Sequence, residues 1–271
     1  METREAAVAG SFYPRDKKQL EKMLCGFFKG LREEKKSGCI VSPHAGYVYS
    51  GGIAALAFNS LQETDCFVVL GPNHTGLGEP ISVSDAGEWE TPLGRVPVAG
   101  AEREKLLGAL GIEADGLAHI QEHSIEVQLP FLQHCFRGFK ILPITIGTQR
   151  LQDLLELGNA LAELKGKVSV IASSDFSHFV PLETAKKNDL MAIKKITALD
   201  VEGFHGMVMR ERMSICGSAP IAGAMQYCRK AGYKSGRLLG YGTSASATGD
   251  SESVVGYAAI KFEKQASRKE V

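Results

Sequence analysis

The chain has 271 residues, of which 44% are hydrophobic and 23% charged, a composition typical of a soluble globular protein. Its 31 basic and 31 acidic side chains balance, so we expect no nucleic-acid partner, which would need a basic face. No apolar run approaches the roughly 18 residues of a membrane span, and the polar N-terminus lacks the apolar core of a signal peptide. We therefore expect a cytoplasmic protein whose six cysteines, which form no CxxC pair, are reduced thiols.

Helical and strand-like patterns alternate along the first half of the chain. Apolar residues at helical spacing predict helices, and short apolar runs predict buried strands. Helices are expected at residues 17–35, 53–61, 102–110 and 120–136, the last despite Pro130. Strands are expected at residues 39–41, 66–70 and 139–146. The turn-rich stretch 76–98 is expected to form a hairpin or an irregular excursion.

The alternation continues in the second half. Helices are expected at residues 151–164, 182–198, 200–209 and 217–229, and strands at residues 168–172, 237–243 and 253–263. This order favours an α/β fold with a central mixed or mostly parallel sheet and helices on both faces. We expect one domain, near the upper size of about 250 residues, over two smaller ones, because no linker or repeat divides the chain. The polar tail 265–271 is expected to fray.

Three predicted strands each end in a polar motif that contains a histidine: IVSPHAGYVYSGG, VVLGPNHTG and VIASSDFSHF. Ligands bind at the carboxyl ends of strands in open α/β sheets, so we expect these histidines to share one site. His44 and His74 are predicted metal ligands, because imidazole suits iron, copper and zinc. Tyr49 is expected to line the same pocket. The glycines of the first motif either let the backbone pass close to the site or simply make a tight turn.

Cys216 lies at a predicted helix start in MSICGSAP, where the helix dipole lowers a thiol pKa and favours the metal-binding thiolate. A buried, unreactive cysteine is the alternative. Asp175 and His178 would share a face if SSDFSH were helical, and the carboxylate would then orient the imidazole as a general acid and base. A helix-capping role for the polar residues of that motif is the alternative, and the two roles are compatible.

The segment from His119 to His123 matches the H-x-x-E-H pattern of inverted zinc proteases. Three fixed positions are a weak signal in a chain with seven histidines. As part of a helix, the segment instead turns His123 and Glu126 onto one face, where both are expected to line the pocket. The sequence has no GxxxxGK[ST] phosphate loop, no GxSxG nucleophile elbow and no paired CxxC zinc site.

Five motifs in order, PHAGYVYSGG, LGPNHTG, EHSIEVQLPFL, SSDFSHF and SICGSAPI, resemble the Memo family, as do AVAGSFYP and WETPLG. The resemblance covers nearly the whole chain and implies a fold similar to class III extradiol dioxygenases, which use non-haem Fe(II). It implies that His44 and His74 are metal ligands and that Cys216 stands where those dioxygenases have a carboxylate. It also implies that His178, with Asp175 beside it, is the acid and base.

The cysteine changes the chemistry that the resemblance implies. A thiolate is softer than a carboxylate and is itself oxidisable, so we expect about one iron or copper ion per chain with redox chemistry, rather than ring cleavage. Iron is readily lost when such a protein is prepared in air. The alternative is a non-enzymatic module whose pocket binds a peptide or a small ligand. In microbes the resemblance also implies a pathway shared with radical-SAM and AMMECR-type proteins.

Overall fold

Strands alternate with helices, as predicted, in the computed structural model of the chain, which describes residues 2–164 and 168–264. The predicted frayed tail lies outside these residues. The strands are β1 (Thr3–Arg4), β2 (Cys39–Ser42), β3 (Cys66–Pro72), β4 (Ile81–Val83), β5 (Glu88–Thr91), β6 (Gly94–Pro97), β7 (Lys140–Ile146), β8 (Val168–Ser173), β9 (His178–Val180), β10 (Tyr233–Thr243) and β11 (Val254–Lys264). The helices are α1 (Lys17–Phe28), α2 (Tyr47–Asn59), α3 (Gly100–Leu110), α4 (Leu129–Cys135), α5 (Leu151–Ala162), α6 (Leu182–Thr197), α7 (Val201–Glu211), α8 (Ser218–Lys230) and α9 (Ala245–Thr248).

The central sheet is mixed, as the alternation predicts. Its strand order is β10-β11-β2-β8-β3-β7-β4, and β9 pairs with β11. The inner strands β2, β8, β3 and β7 run parallel to one another. β11 and β4 pair antiparallel with the two sides of this parallel group, and β10 pairs antiparallel with β11. A second, three-stranded sheet has the order β1-β5-β6, in which the predicted hairpin of the 76–98 stretch is β5 and β6.

Both faces of the central sheet are buried, which explains its continuous apolar strands. Neighbouring side chains of a strand point to opposite faces, so Val68 and Leu70 of β3 pack on one side and Phe67 and Val69 on the other. Helices α3, α5, α6, α7 and α8 cover the first face, and α1, α2 and α4 cover the second. None of the described helices is both long and apolar enough to cross a membrane.

The predicted helix over residues 120–136 is wrong for most of its length. One short 3-10 helix, Glu126–Gln128, lies in this stretch, and α4 begins only at Leu129. A second 3-10 helix, Leu117–His119, precedes it. Pro130 lies in the first turn of α4, where its missing N–H removes no helical hydrogen bond. The proline therefore marks a helix start rather than the middle of a helix.

Of the three glycines of PHAGYVYSGG, only Gly46 lies in the loop beside the site, directly before α2. Helix α2 begins at Tyr47 instead of the predicted Ile53, so Gly51 and Gly52 lie inside it. A Cβ atom on Gly51 would lie 2.4 Å from the ring of Phe27 on α1. This glycine therefore allows the close packing of α1 on α2.

Candidate functional site

The carboxyl ends of β2, β8 and β3 lie side by side, because β8 pairs with both of the other strands. His44 follows β2, His74 follows β3, and the centroids of their rings are 5.2 Å apart. Cys216, from the segment between α7 and α8, reaches the same point, and its Sγ lies 3.2 Å from Nε2 of His44. The ligand atoms of the three residues all lie within 4.8 Å of one another. The fold thus brings together the side chains predicted as metal ligands.

Hydrogen bonds determine which nitrogen of His44 faces Cys216. Nδ1 of His44 lies 2.9 Å from the hydroxyl oxygen of Ser173. That hydroxyl donates its single hydrogen to the carbonyl of Ser124 at 2.6 Å, so its oxygen accepts from the ring. Nδ1 therefore carries the hydrogen, and Nε2 presents a lone pair toward Cys216. Burial, and then the neighbouring imidazoles, hold the pKa of His44 well below its usual 6.5, so the ring is neutral.

Glu122 orients His74 in the same way. Its carboxylate accepts hydrogen bonds from Nδ1 of His74 at 2.9 Å, from the His74 backbone at 2.6 Å and from the Ser124 backbone at 2.9 Å. Burial alone would raise the pKa of Glu122, but the bonds from His74 and Ser124 lower it to about 2. The ionised carboxylate can only accept, so Nδ1 of His74 carries the hydrogen and Nε2 has the free lone pair.

The orienting roles of Glu122 and Ser173 were not predicted from the sequence. In the sequence, Glu122 was only part of the protease pattern, and Ser173 was only a possible helix cap. The available signal for Ser173 was its position directly after the predicted strand 168–172, in the same motif as Asp175 and His178. Glu122 gave no such signal, because a 48-residue separation from His74 hides the contact.

His123 lies against the site, whereas Glu126 does not. The ring of His123 stacks on His74 with 4.6 Å between centroids and lies 5.4 Å from His44. Burial lowers the pKa of His123 to about 4. The carboxylate of Glu126 instead binds Arg4 and the backbone N–H groups of residues 7 and 8. The predicted shared face is therefore wrong, because the segment is not one continuous helix.

Tyr49 is also placed differently from the prediction. It lies on α2 with 46% of its surface exposed. The cavity beside Cys216 is lined by His74 and His178 but not by Tyr49. The early start of α2 explains this difference, because it puts Tyr49 on a helix surface instead of in a loop at the strand end.

Asp175 and His178 do not form the predicted pair, because the chain after β8 is irregular and His178 opens β9. The carboxylate of Asp175 accepts hydrogen bonds from the backbone of His44 at 2.8 Å and of Ala45 at 3.3 Å. It therefore holds the loop that carries His44. Burial raises the pKa of Asp175, although these amide bonds and the nearby His178 oppose the shift.

His178 is oriented by two backbone carbonyls instead of by Asp175. Its Nδ1 donates to the carbonyl oxygens of Phe176 at 2.7 Å and Ser214 at 2.8 Å. Carbonyl oxygens cannot donate, so Nδ1 carries a hydrogen and Nε2 is the acceptor of the neutral ring. His178, His74 and Cys216 line one cavity of about 600 Å³. The geometry thus leaves His178 as a candidate proton carrier beside the three clustered side chains.

Burial, reinforced by the carboxylate of Asp175, raises the pKa of the Cys216 thiol. This is opposite to the predicted effect of a helix N-terminus, because α8 begins only at Ser218 and loss of solvation outweighs the dipole. The backbone N–H of Asp175 donates to Sγ at 3.3 Å. The sulfur therefore keeps its proton until a bound cation displaces it.

His119 lies apart from this cluster. Its Nε2 donates to the carbonyl of Ser82 at 3.2 Å, and its Nδ1 accepts from the hydroxyl of Thr145 at 3.1 Å. Both ring nitrogens are thus occupied, and the ring packs against Trp89 at 5.6 Å between centroids. The structure contradicts the protease interpretation, because the helix that the H-x-x-E-H pattern requires is absent from the described segment 117–128.

Gly217→Ala is expected to destabilise the fold by about 1–3 kcal/mol, because the site cannot accept a Cβ atom. That atom would lie 2.3 Å from the carbonyl oxygen of Ser173 and 2.4 Å from Cβ of Ser174. The clash would also push Cys216 away from His44. Gly206→Ala on α7 is the matched control, since a Cβ atom there meets nothing within 4 Å. Denaturant unfolding measures both variants, and equal stability of the two would contradict this prediction.

The chain matches the family model described as Memo-like protein over residues 4–261. It belongs to the Memo family. A MEMO1 family protein of Methanosarcina mazei is 46% identical over 270 residues, covering 97% of this chain and 100% of the relative. Another from Aquifex aeolicus is 40% identical over 268 residues, with the same coverage. The family resemblance inferred from the motifs is therefore confirmed.

A crystal structure of an uncharacterized protein from Escherichia coli K12 has a similar fold. Its TM-score to the Memo-family chain is 0.54 at 14% sequence identity, and the match covers 82% of this chain and 98% of that one. At this identity the likeness concerns the fold alone. It agrees with the predicted α/β architecture.

Proposed function

We propose that this Memo-family chain holds one redox-active transition-metal ion between His44, His74 and Cys216 and uses it in redox chemistry on a small organic molecule. One observation carries the proposal. Ser173 and Glu122 hold the two imidazoles in the tautomer that presents an Nε2 lone pair to the site. Ligand histidines in metalloproteins are held in this way by acceptors on the other ring nitrogen.

The donor set fits such an ion. Two neutral imidazole nitrogens and one sulfur suit iron, copper and zinc. Metal–nitrogen bonds of about 2.0–2.1 Å and metal–sulfur bonds of about 2.3 Å separate ligand atoms by distances comparable with the observed limit of 4.8 Å. Three protein ligands leave a coordination position open for a substrate. Of these metals, iron and copper would supply one-electron redox chemistry when bound.

The other residues of the site would bind the substrate and transfer a proton. The cavity of about 600 Å³ beside Cys216 is large enough for a small molecule. His178 lines it, and its Nδ1 hydrogen is held by two carbonyls. Its Nε2 is therefore the atom at which a proton would be accepted and later returned.

Protein purified without oxygen is expected to contain about one iron or copper ion per chain, and the His44→Ala/His74→Ala variant is expected to contain none. Elemental analysis measures the ion, and absorption spectroscopy detects a sulfur-to-metal band that Cys216→Ser should remove. His134→Ala/His205→Ala is the matched control, because these imidazoles contact Phe28 and the Gln149 backbone instead of the cluster. Equal metal content in the two double variants would refute the proposal.

A further inference from the structure

One wall of the cavity beside Cys216 is apolar and rich in sulfur. Val208, Met209, Met213 and Ile215 line it. Met209 is 50% exposed, so part of this apolar wall faces solvent. A ligand with an apolar body would remove that surface from water, and thioether groups adapt well to its shape.

Among the described residues that line this cavity, Arg212 is the one permanent charge and no aspartate or glutamate is present. Its guanidinium makes no hydrogen bond or ion pair with any residue of the ranges 2–164 and 168–264. Two surface arginines of α7 and α8 behave differently. Arg210 pairs with Glu211 at 2.9 Å, and Arg229 pairs with Glu202 at 2.9 Å. A guanidinium without a partner is able to bind a carboxylate through two parallel hydrogen bonds.

The backbone of Arg212 is also unusual. Its φ angle is +50°, in the left-handed region, at the position that ends α7. Glycine is the usual residue there, because a side chain at this φ is unfavourable. Residues held in unfavourable backbone conformations cluster at active sites and ligand-binding sites, and Arg212 lines a cavity.

We propose that the cavity binds a small organic acid whose carboxylate pairs with Arg212 and whose apolar body lies on Met209 and Met213. The far end of the molecule then reaches Cys216 and the candidate metal position. This last contact rests on the proposed function, whereas recognition of the acid depends only on the cavity. The proposal thus gives the substrate class of the same site as an apolar monocarboxylate.

Isothermal titration calorimetry with 3-phenylpropionate tests the charge recognition. The alcohol 3-phenylpropan-1-ol has the same body without the carboxylate, and we expect it to bind roughly tenfold or more weakly. Arg212→Gln should weaken binding of the acid by a similar factor and leave the alcohol unchanged. Arg210→Gln, two residues earlier on α7, is the matched control and should bind the acid like the unaltered protein. Arg212→Lys keeps the charge and should retain part of the affinity.

Three further measurements test the apolar wall and separate recognition of the acid from metal binding. Met209→Gln should weaken binding of the acid and of the alcohol alike, and inorganic phosphate should bind more weakly than the acid. Equal affinity for acid and alcohol, equal effects of Arg212→Gln and Arg210→Gln, or phosphate binding as tightly as the acid would each overturn the inference. The acid should also bind the His44→Ala/His74→Ala variant in an Arg212-dependent manner. That result would uphold recognition of the acid even if no protein preparation contained metal.

Discussion

Replacing Glu126 with alanine is expected to lower the free energy of unfolding by about 3–5 kcal/mol, because it leaves a buried charge without its partner. Glu126 is fully buried, Arg4 is only 7% exposed, and the two form an ion pair. The carboxylate also accepts hydrogen bonds from the backbone of Ala7 at 2.8 Å and Val8 at 3.0 Å, and from the hydroxyl of Tyr13. Urea denaturation measures the loss.

A surface pair of the same chemistry provides the control. Glu202→Ala removes the carboxylate that binds Arg229 where both side chains are about half exposed, and it is expected to cost about 1 kcal/mol or less. The double variant Arg4→Met/Glu126→Leu should cost less than Glu126→Ala alone, since no charge remains buried. Equal destabilisation by the two glutamate-to-alanine variants would contradict the assigned role of the buried pair.

Glu122→Gln is expected to weaken metal binding by about 10–100-fold, the usual effect of removing a partner that orients a ligand histidine. The ionised Glu122 forces Nδ1 of His74 to carry the hydrogen. A glutamine amide can accept at one atom only, and its NH₂ group would meet N–H donors from His74 or Ser124. The lone pair of His74 would then no longer be directed reliably to the site.

Competition titration of Fe(II) against a chelator under anaerobic conditions measures this affinity. Glu183→Gln on α6 is the control, because its exposed carboxylate contacts only Lys186 among the described residues. Circular dichroism checks that Glu122→Gln remains folded. Unchanged Fe(II) affinity in a folded Glu122→Gln protein would show that the carboxylate does not orient a ligand.

The meeting of His44 and His74 could be predicted from one rule, whereas Cys216 follows no strand and joins them from the segment between α7 and α8. Buried strands followed by histidine motifs were recognisable, and parallel strands place their carboxyl ends at one edge of a sheet. The order of the strands was not recognisable. β8 lies between β2 and β3, and that placement makes Ser173 the partner of His44. Strand order depends on packing between distant segments, which periodicity does not record.

The segment after His119 shows the opposite case, in which local pattern predicted the wrong structure. Apolar residues at helical spacing predicted a helix, but long-range contacts of two carboxylates determine the observed path. Glu122 bonds His74, and Glu126 bonds Arg4, across 48 and 122 residues of sequence. Buried carboxylate contacts of this kind stabilise the observed path more than helix propensity favours a helix, because propensities differ by only about 0.7 kcal/mol per residue or less. Glu122 therefore reaches His74 by a path that no local pattern describes.

The separation of the three clustered side chains along the chain has a kinetic and thermodynamic consequence. His44 and Cys216 lie 172 residues apart in the sequence, and several strands of the central sheet, including β3, β7 and β8, come between them along the chain. An unfolded chain rarely gathers such distant groups, so an ion would enter only after the sheet has assembled. Once bound, it would act as a cross-link among three segments and raise the melting temperature in proportion to the logarithm of its concentration. Heat resistance that a chelator abolishes would then report occupancy of the site without any assay of turnover.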